Sequence, residues 1–212
     1  AMLTRLVLGS FLAGLLPVIA WAELSVGTIA PAFSAKAALG GTDTTFTLSE
    51  ALKKGPVVVY FYPKSFTSVC TEEANLFAEA MLEFAALGAS VIGVSTDTIE
   101  TQREFSRQAC RDKFPVAADP EGSVVKAYDA ASRRGGTMAS RTSYVVTPDG
   151  KIASVLTAGD AGSHAAGAAA LVAAAAAGAR DGRRSAVVRV HRAARIGQDH
   201  RADPFGPEVP AG

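Results

Sequence analysis

The sequence predicts an α/β domain with a mixed central sheet flanked by helices. Three observations carry this: an apolar run suited to a strand covered on both faces, a second such run one helix later, and a strong two-strand turn near residue 150. The chain has 212 residues, 49% hydrophobic and 19% charged, enough for one sizeable domain with appendages and too apolar for wholesale disorder.

Residues 1–22 read as an export signal, with Arg5 as a positive n-region, Leu6 to Ile19 as an apolar h-region and Ala20-Trp21-Ala22 as a small-x-small cleavage site. Cleavage after Ala22 starts the mature protein at Glu23, in the bacterial periplasm. The alternative is an uncleaved anchor, but the apolar run falls short of the ~20 residues that span a bilayer. No stable membrane insertion is expected once the signal is gone. Export would place the thiols in an oxidising compartment.

The domain is expected over residues 23–180. Ala30-Pro31-Ala32-Phe33 and Gly40-Gly41 mark an extended, turn-rich stretch, and Phe46-Thr47-Leu48-Ser49-Glu50 opens a short helix toward Lys54. Val57-Val58-Val59-Tyr60-Phe61-Tyr62 is apolar on both faces and bounded by Gly55-Pro56 and Pro63, the mark of a central strand. From Thr71 to about Leu87, Leu76, Phe77, Ala80, Met81, Phe84 and Leu87 share one helical side and Glu72, Asn75, Glu79 and Glu83 the other, until Gly88. Ala89 to Ser95 is a second buried strand, followed by a helix from about Glu100 to Asp112. Phe114-Pro115-Val116 is a short extended piece, and a short helix spans Val124 to Tyr128. Ser143 to Thr147 and Lys151 to Thr157 flank Pro148-Asp149-Gly150 as paired strands. Crossover helices demand a parallel pair of strands and the closing hairpin adds antiparallel ones; a thioredoxin-like fold fits that order.

After Gly159 the composition changes. Ala165 to Ala177 forms a helix on propensity, but only Leu171 and Val172 exceed alanine in size, so weak docking is expected. Residues 181–212 carry six arginines (183, 184, 189, 192, 195, 201) against four acids (181, 199, 203, 208), with Pro204, Pro207 and Pro210 and no period, and are expected to be a disordered Arg/Pro-rich tail.

With 21 basic and 20 acidic residues the whole chain has a net charge of +1, so no global basic field exists to hold nucleic acid. Two cysteines are too few for a disulfide scaffold or an all-cysteine zinc site, and the three histidines lie too late to complete one. Two cysteines can support one redox cycle. Cys70 falls where the buried strand turns into a helix. A thiol in a helix's first turn meets unpaired N–H groups and the positive dipole end, which favour a nucleophilic thiolate. A hydroxyl three residues earlier, Thr67, and a carboxylate three residues later, Glu73, weigh against an inert core cysteine.

Pro63, Thr67 and Cys70 have the spacing P-x-x-x-T-x-x-C, and here the sequence resembles the peroxiredoxins, thiol peroxidases of the alkyl hydroperoxide reductase and thiol-specific antioxidant group. Gly27-Thr28-Ile29-Ala30-Pro31-Ala32-Phe33 looks like the family's N-terminal segment. Phe61-Tyr62-Pro63-Lys64 and Cys70-Thr71-Glu72-Glu73-Ala74 are most similar to the bacterioferritin-comigratory, or Q-type, branch. Arg141-Thr142-Ser143-Tyr144-Val145-Val146 resembles the strand that brings the family's active-site arginine. The likeness runs from about Val26 to Thr157. It implies an enzyme that reduces hydrogen peroxide and organic hydroperoxides through a Cys70 sulfenic acid, with no metal, haem or flavin. Thr67 would hold the peroxide, Arg141 would favour the thiolate and the leaving oxygen, Pro63 would shield the sulfur, and Glu73 would orient Arg141. Electrons would come from a thioredoxin-like or glutaredoxin-like protein or a small thiol, and the protein would be a monomer or homodimer.

Two departures qualify the likeness. Many Q-type members carry a resolving cysteine five residues after the attacking one, where this chain has Asn75. The other thiol, Cys110, is expected on the Glu100 to Asp112 helix, where some members place their resolving cysteine; it either resolves Cys70 or is a core thiol. The alanine-rich segment after Ala158 also lacks the apolar stripe of the family's last helix. Two other readings share the fold: a thioredoxin-like disulfide oxidoreductase, which would want a second cysteine at Glu73, and a non-catalytic binding domain, against which stand Pro63, Thr67, Cys70 and Arg141 together.

Overall fold

The computed structural model describes residues 24–132, 136–157 and 160–180. The expectations for the signal, 1–22, and the tail, 181–212, lie outside the described residues. The strands are β1 Ser34–Leu39, β2 Thr42–Thr47, β3 Val57–Phe61, β4 Ser90–Ser95, β5 Val116–Ala118, β6 Thr142–Val146 and β7 Ile152–Thr157. The helices are α1 Leu48–Leu52, α2 Ser68–Glu79, α3 Met81–Ala86, α4 Ile99–Gln108, α5 Ser123–Ala127 and α6 Ala161–Arg180. Among the described residues the strands form one sheet in the order β2-β1-β5-β4-β3-β6-β7, with β3 parallel to β4 and β4 to β5, and the remaining pairs antiparallel. This is the expected mixed sheet.

β3 lies inside the sheet between β4 and β6, and all five of its residues are buried. Successive side chains point to opposite faces. Val58, Tyr60 and Tyr62 therefore enter the layer under α2, α4 and α6, while Val57, Val59 and Phe61 enter the one beneath α1 and α5. Tyr60 stacks on Phe77 of α2 with ring centroids 4.4 Å apart, and Tyr62 on Phe105 of α4 at 5.4 Å. These contacts seat α2, and so the residue at its start, against the end of β3.

The structure departs from the sequence expectations in four places. The turn-rich N-terminal stretch is a β-hairpin: Leu39 pairs with Thr42 across Gly40 and Gly41, whose φ angles of 57° and 77° suit a two-residue turn that most side chains resist. The helix expected from Thr71 begins at Ser68 and breaks at Ala80, and Phe77 and Phe84 still stack across the break. α4 ends at Gln108, and Arg111 and Asp112 beyond it take positive φ; Cys110 lies in the turn after the helix rather than on it. Helix α6 packs into the core through Ala165, Ala168, Ala169, Leu171 and Val172. Small residues allow this by close approach: a Cβ on Gly167 would stand 2.6 Å from Leu156 Cδ2. The alanine stripe thus takes the place of a larger apolar stripe.

Candidate active site

β3 delivers the chain at Phe61 into the segment 62–67, and α2 begins at Ser68. Cys70 is therefore the third residue of a helix whose first N–H groups have no intrahelical acceptor. It is 2% exposed. Thr67 is the N-cap, in extended conformation; its hydroxyl makes no cap bond and donates instead to the Lys64 carbonyl at 3.0 Å. That leaves its oxygen lone pairs to accept from a ligand. Pro63 is half-buried beside this loop and Thr67 is exposed.

Polar groups beneath the loop hold it in place. The Tyr62 hydroxyl donates to Gln102 Oε1 at 2.8 Å, and Gln102 Nε2 donates to the Ser95 hydroxyl at 2.8 Å and the Ala117 carbonyl at 3.0 Å. Ser65 N–H donates to Asp97 Oδ2 at 2.7 Å, and so does the Ser95 hydroxyl at 2.8 Å. Gln102 and Ser95 are fully buried, so these bonds satisfy groups that would otherwise be costly to bury. Phe66 holds φ 64°, an uncommon conformation for a bulky residue, with its ring edge-on to Phe105.

Antiparallel pairing of β6 with β3 sets Thr142 opposite Phe61, so Arg141 arrives at the end of β3 from which the chain leaves toward Cys70. Its Nη2 donates to Cys70 Sγ at 3.5 Å and its Nη1 to Glu73 Oε2. Burial works against the guanidinium charge, but the Glu73 and Cys70 charges outweigh it and hold its pKa above the ordinary value. Glu73 is fully buried, one turn along α2, and its other oxygen meets Nδ1 of His164 from α6. The fold thus brings Cys70, Glu73 and Arg141 into one hydrogen-bonded chain, with Thr67 and Pro63 in the segment that leads into α2. Both cysteines are free thiols. Cys110 is fully buried in the same apolar layer; burial, aided by the Asp112 charge, pushes its thiol far above the usual range.

Sequence reasoning missed His164 and Gln102. His164 opens an alanine-rich run whose sequence does not match a catalytic pattern, and its partner is 91 residues away. Gln102 carried a weak signal, as a polar residue on the inward side of a helix beside Phe105.

Such an arrangement can stabilise a thiolate and donate to an oxygen that takes up negative charge. Residues 26–155 match the model of the AhpC/TSA family. The chain is 32% identical over 127 residues to the chloroplastic peroxiredoxin Q of Sedum lineare, covering 56% of this chain and 68% of that protein. The structure is similar to that of peroxidoxin BcpB from Mycobacterium tuberculosis, with TM-score 0.64 and 32% identity over 72% of this chain and 98% of the other. It is also similar to AhpC of Enterococcus faecalis, with TM-score 0.66 and 25% identity over 76% and 98% of the two chains.

Proposed function

The chain belongs to the AhpC/TSA family and is a peroxiredoxin, a thiol-dependent peroxidase with a thioredoxin-like fold; from that premise we propose that Cys70 is the thiol that attacks the hydroperoxide. The observation that carries this is the approach of Arg141 Nη2 to Cys70 Sγ at 3.5 Å, with the first turn of α2 around the sulfur. The thiolate attacks the terminal peroxide oxygen. An S–O bond forms as the O–O bond breaks, sulfur is oxidised by two electrons to the sulfenic acid, and the leaving alkoxide or hydroxide takes a proton to become alcohol or water. Arg141 favours the thiolate and then the developing oxyanion; Thr67 accepts from the peroxide O–H; Pro63 limits the approach of bulk water.

Cys110 takes the resolving role in this proposal. Its thiol condenses with the Cys70 sulfenic acid, forming an S–S bond and releasing water. Because Cys110 is buried, the turn after α4 opens before that step. An external thiol or dithiol then reduces the disulfide by exchange, becoming oxidised itself. The pattern Arg5, Leu6 to Ile19 and Ala20-Trp21-Ala22 supports export to the periplasm, and a secreted chain with Glu23 at its N-terminus would establish that.

The test is mass mapping of both cysteines in the full chain after one equivalent of hydrogen peroxide, with peroxide consumption followed in parallel. Consumption with a Cys70–Cys110 link, lighter by two hydrogens, is the expected result. A sulfenic acid persisting on Cys70 removes the resolving role from Cys110; an unmodified Cys70 with peroxide consumed removes the attacking role from Cys70.

A further inference from the structure

His164 stands in the first turn of α6, fully buried, with Nδ1 at Glu73 Oε1, while its Nε2 is buried with no hydrogen-bond partner among the described residues. A neutral imidazole has one N–H donor and one acceptor nitrogen. Glu73 is a carboxylate that already receives Arg141 Nη1, so the nitrogen facing it must be the donor. Nε2 is then a bare lone pair with no partner among the described residues. A second ring proton would put an unpaired N–H there and a cation near Arg141. Among the described residues, Tyr60 of β3, close to Glu73 and Cys70, and Asp160, an exposed residue at the start of α6 whose carboxylate accepts from Ser163 N–H, also face this hydrogen-bonded chain.

We propose that His164 is a positioning residue: as the Nδ1–H tautomer it occupies Glu73 Oε1 and so divides the Arg141 fork, Nη1 to Glu73 and Nη2 to the Cys70 sulfur. A carboxylate beside an arginine tends to take two parallel N–H bonds from it. Glu73 with both oxygens open would draw both Nη groups and pull the guanidinium off the sulfur. His164 prevents this by holding one oxygen. The same bond ties α6, whose packing stripe is mostly alanine, to the site that it covers.

This rests on the reading of Cys70 as the attacking thiol, so the deciding measurement needs no peroxide: the pH dependence of Cys70 alkylation by iodoacetamide, mapped by mass in the full chain. In His164→Leu the midpoint is expected to rise by about one unit, and peroxide reduction at neutral pH to slow about tenfold. His164→Asn sets an amide N–H close to the Nδ1 position and should recover most of both. A folded Leu variant with the wild-type midpoint overturns the proposal, and so does a raised midpoint that Asn leaves unrestored. Should the Leu variant fail to fold, nitrogen-15 NMR of the wild-type ring decides, its signal identified by its loss in His164→Asn. An Nδ1–H ring that shifts with the Cys70 titration supports the proposal, whereas an Nε2–H tautomer or an imidazolium at neutral pH overturns it. A wild-type chain that consumes no peroxide would defeat the peroxidase reading and leave the alkylation comparison standing.

Discussion

Cys70 occupies the third position of α2 with Arg141 Nη2 at 3.5 Å, whereas Cys110 is fully buried and meets the Asp112 charge. The same functional group thus has a guanidinium donor beside it at one position, and apolar cover with a nearby carboxylate at the other. Cys70→Ser should keep the fold and lower peroxide consumption by at least about a thousandfold, as loss of a nucleophile does; retained consumption would show that another group reacts. Arg141→Lys keeps the charge but cannot serve Glu73 and the sulfur from two nitrogens of one plane. Its second-order rate constant with hydrogen peroxide should fall about a hundredfold, on the scale of a lost oxyanion donor. Stopped-flow measurement at neutral pH checks this, and a rate within twofold of wild type would mean that charge alone suffices.

At the scale of elements, packing between β3, β4 and α2 decides where Cys70 lies. Gly93 of β4 faces the Tyr60 ring so closely that an added Cβ would stand 2.8 Å from its Cε1, Cζ and Oη. That ring is confined between Tyr62, Phe77 and Phe114 and cannot turn aside cheaply. Gly93→Ala should therefore destabilise the fold by about 1–3 kcal/mol through overpacking. A urea unfolding midpoint that does not move would show that the stack can relax. Helix α6 reaches its place differently, by small side chains at close approach and one buried polar contact.

Across the whole molecule, stability at high pH depends on protons that folding holds in place. Burial raises the pKa of Cys110, so the folded chain keeps its thiol proton above the ~8.5 at which an unfolded cysteine releases it. The native state then binds more protons than the unfolded one, and stability falls as pH rises beyond that value. Cys110 alone contributes about 1.4 kcal/mol of loss per pH unit there. Tyr60, Tyr62 and Tyr128, also raised by burial, add to it above the ordinary tyrosine range of about 10. Chemical unfolding of the reduced protein between pH 8 and 10 should show a decline that is shallower in Cys110→Ala; parallel declines would assign it to other groups.

The α/β class, the buried strand β3 and the loop-to-helix position of Cys70 are legible in the sequence, because their signals are local. An apolar run covers both faces of β3, and the Pro63, Thr67, Cys70 and Glu73 spacing falls within one loop and one helical turn. The N-terminal hairpin was less visible, since Thr42–Thr47 has threonines and an aspartate where an apolar alternation would announce a strand; only Gly40-Gly41 signalled its turn. The approach of Arg141 to Cys70 is implied by the family resemblance but made by strand pairing, while the docking of α6 through alanine and the contact of His164 with Glu73 emerge only in the folded chain. Those contacts join residues 71 and 91 positions apart. Their cause is strand pairing and close helix packing, which set the distance between side chains that sequence spacing leaves undefined.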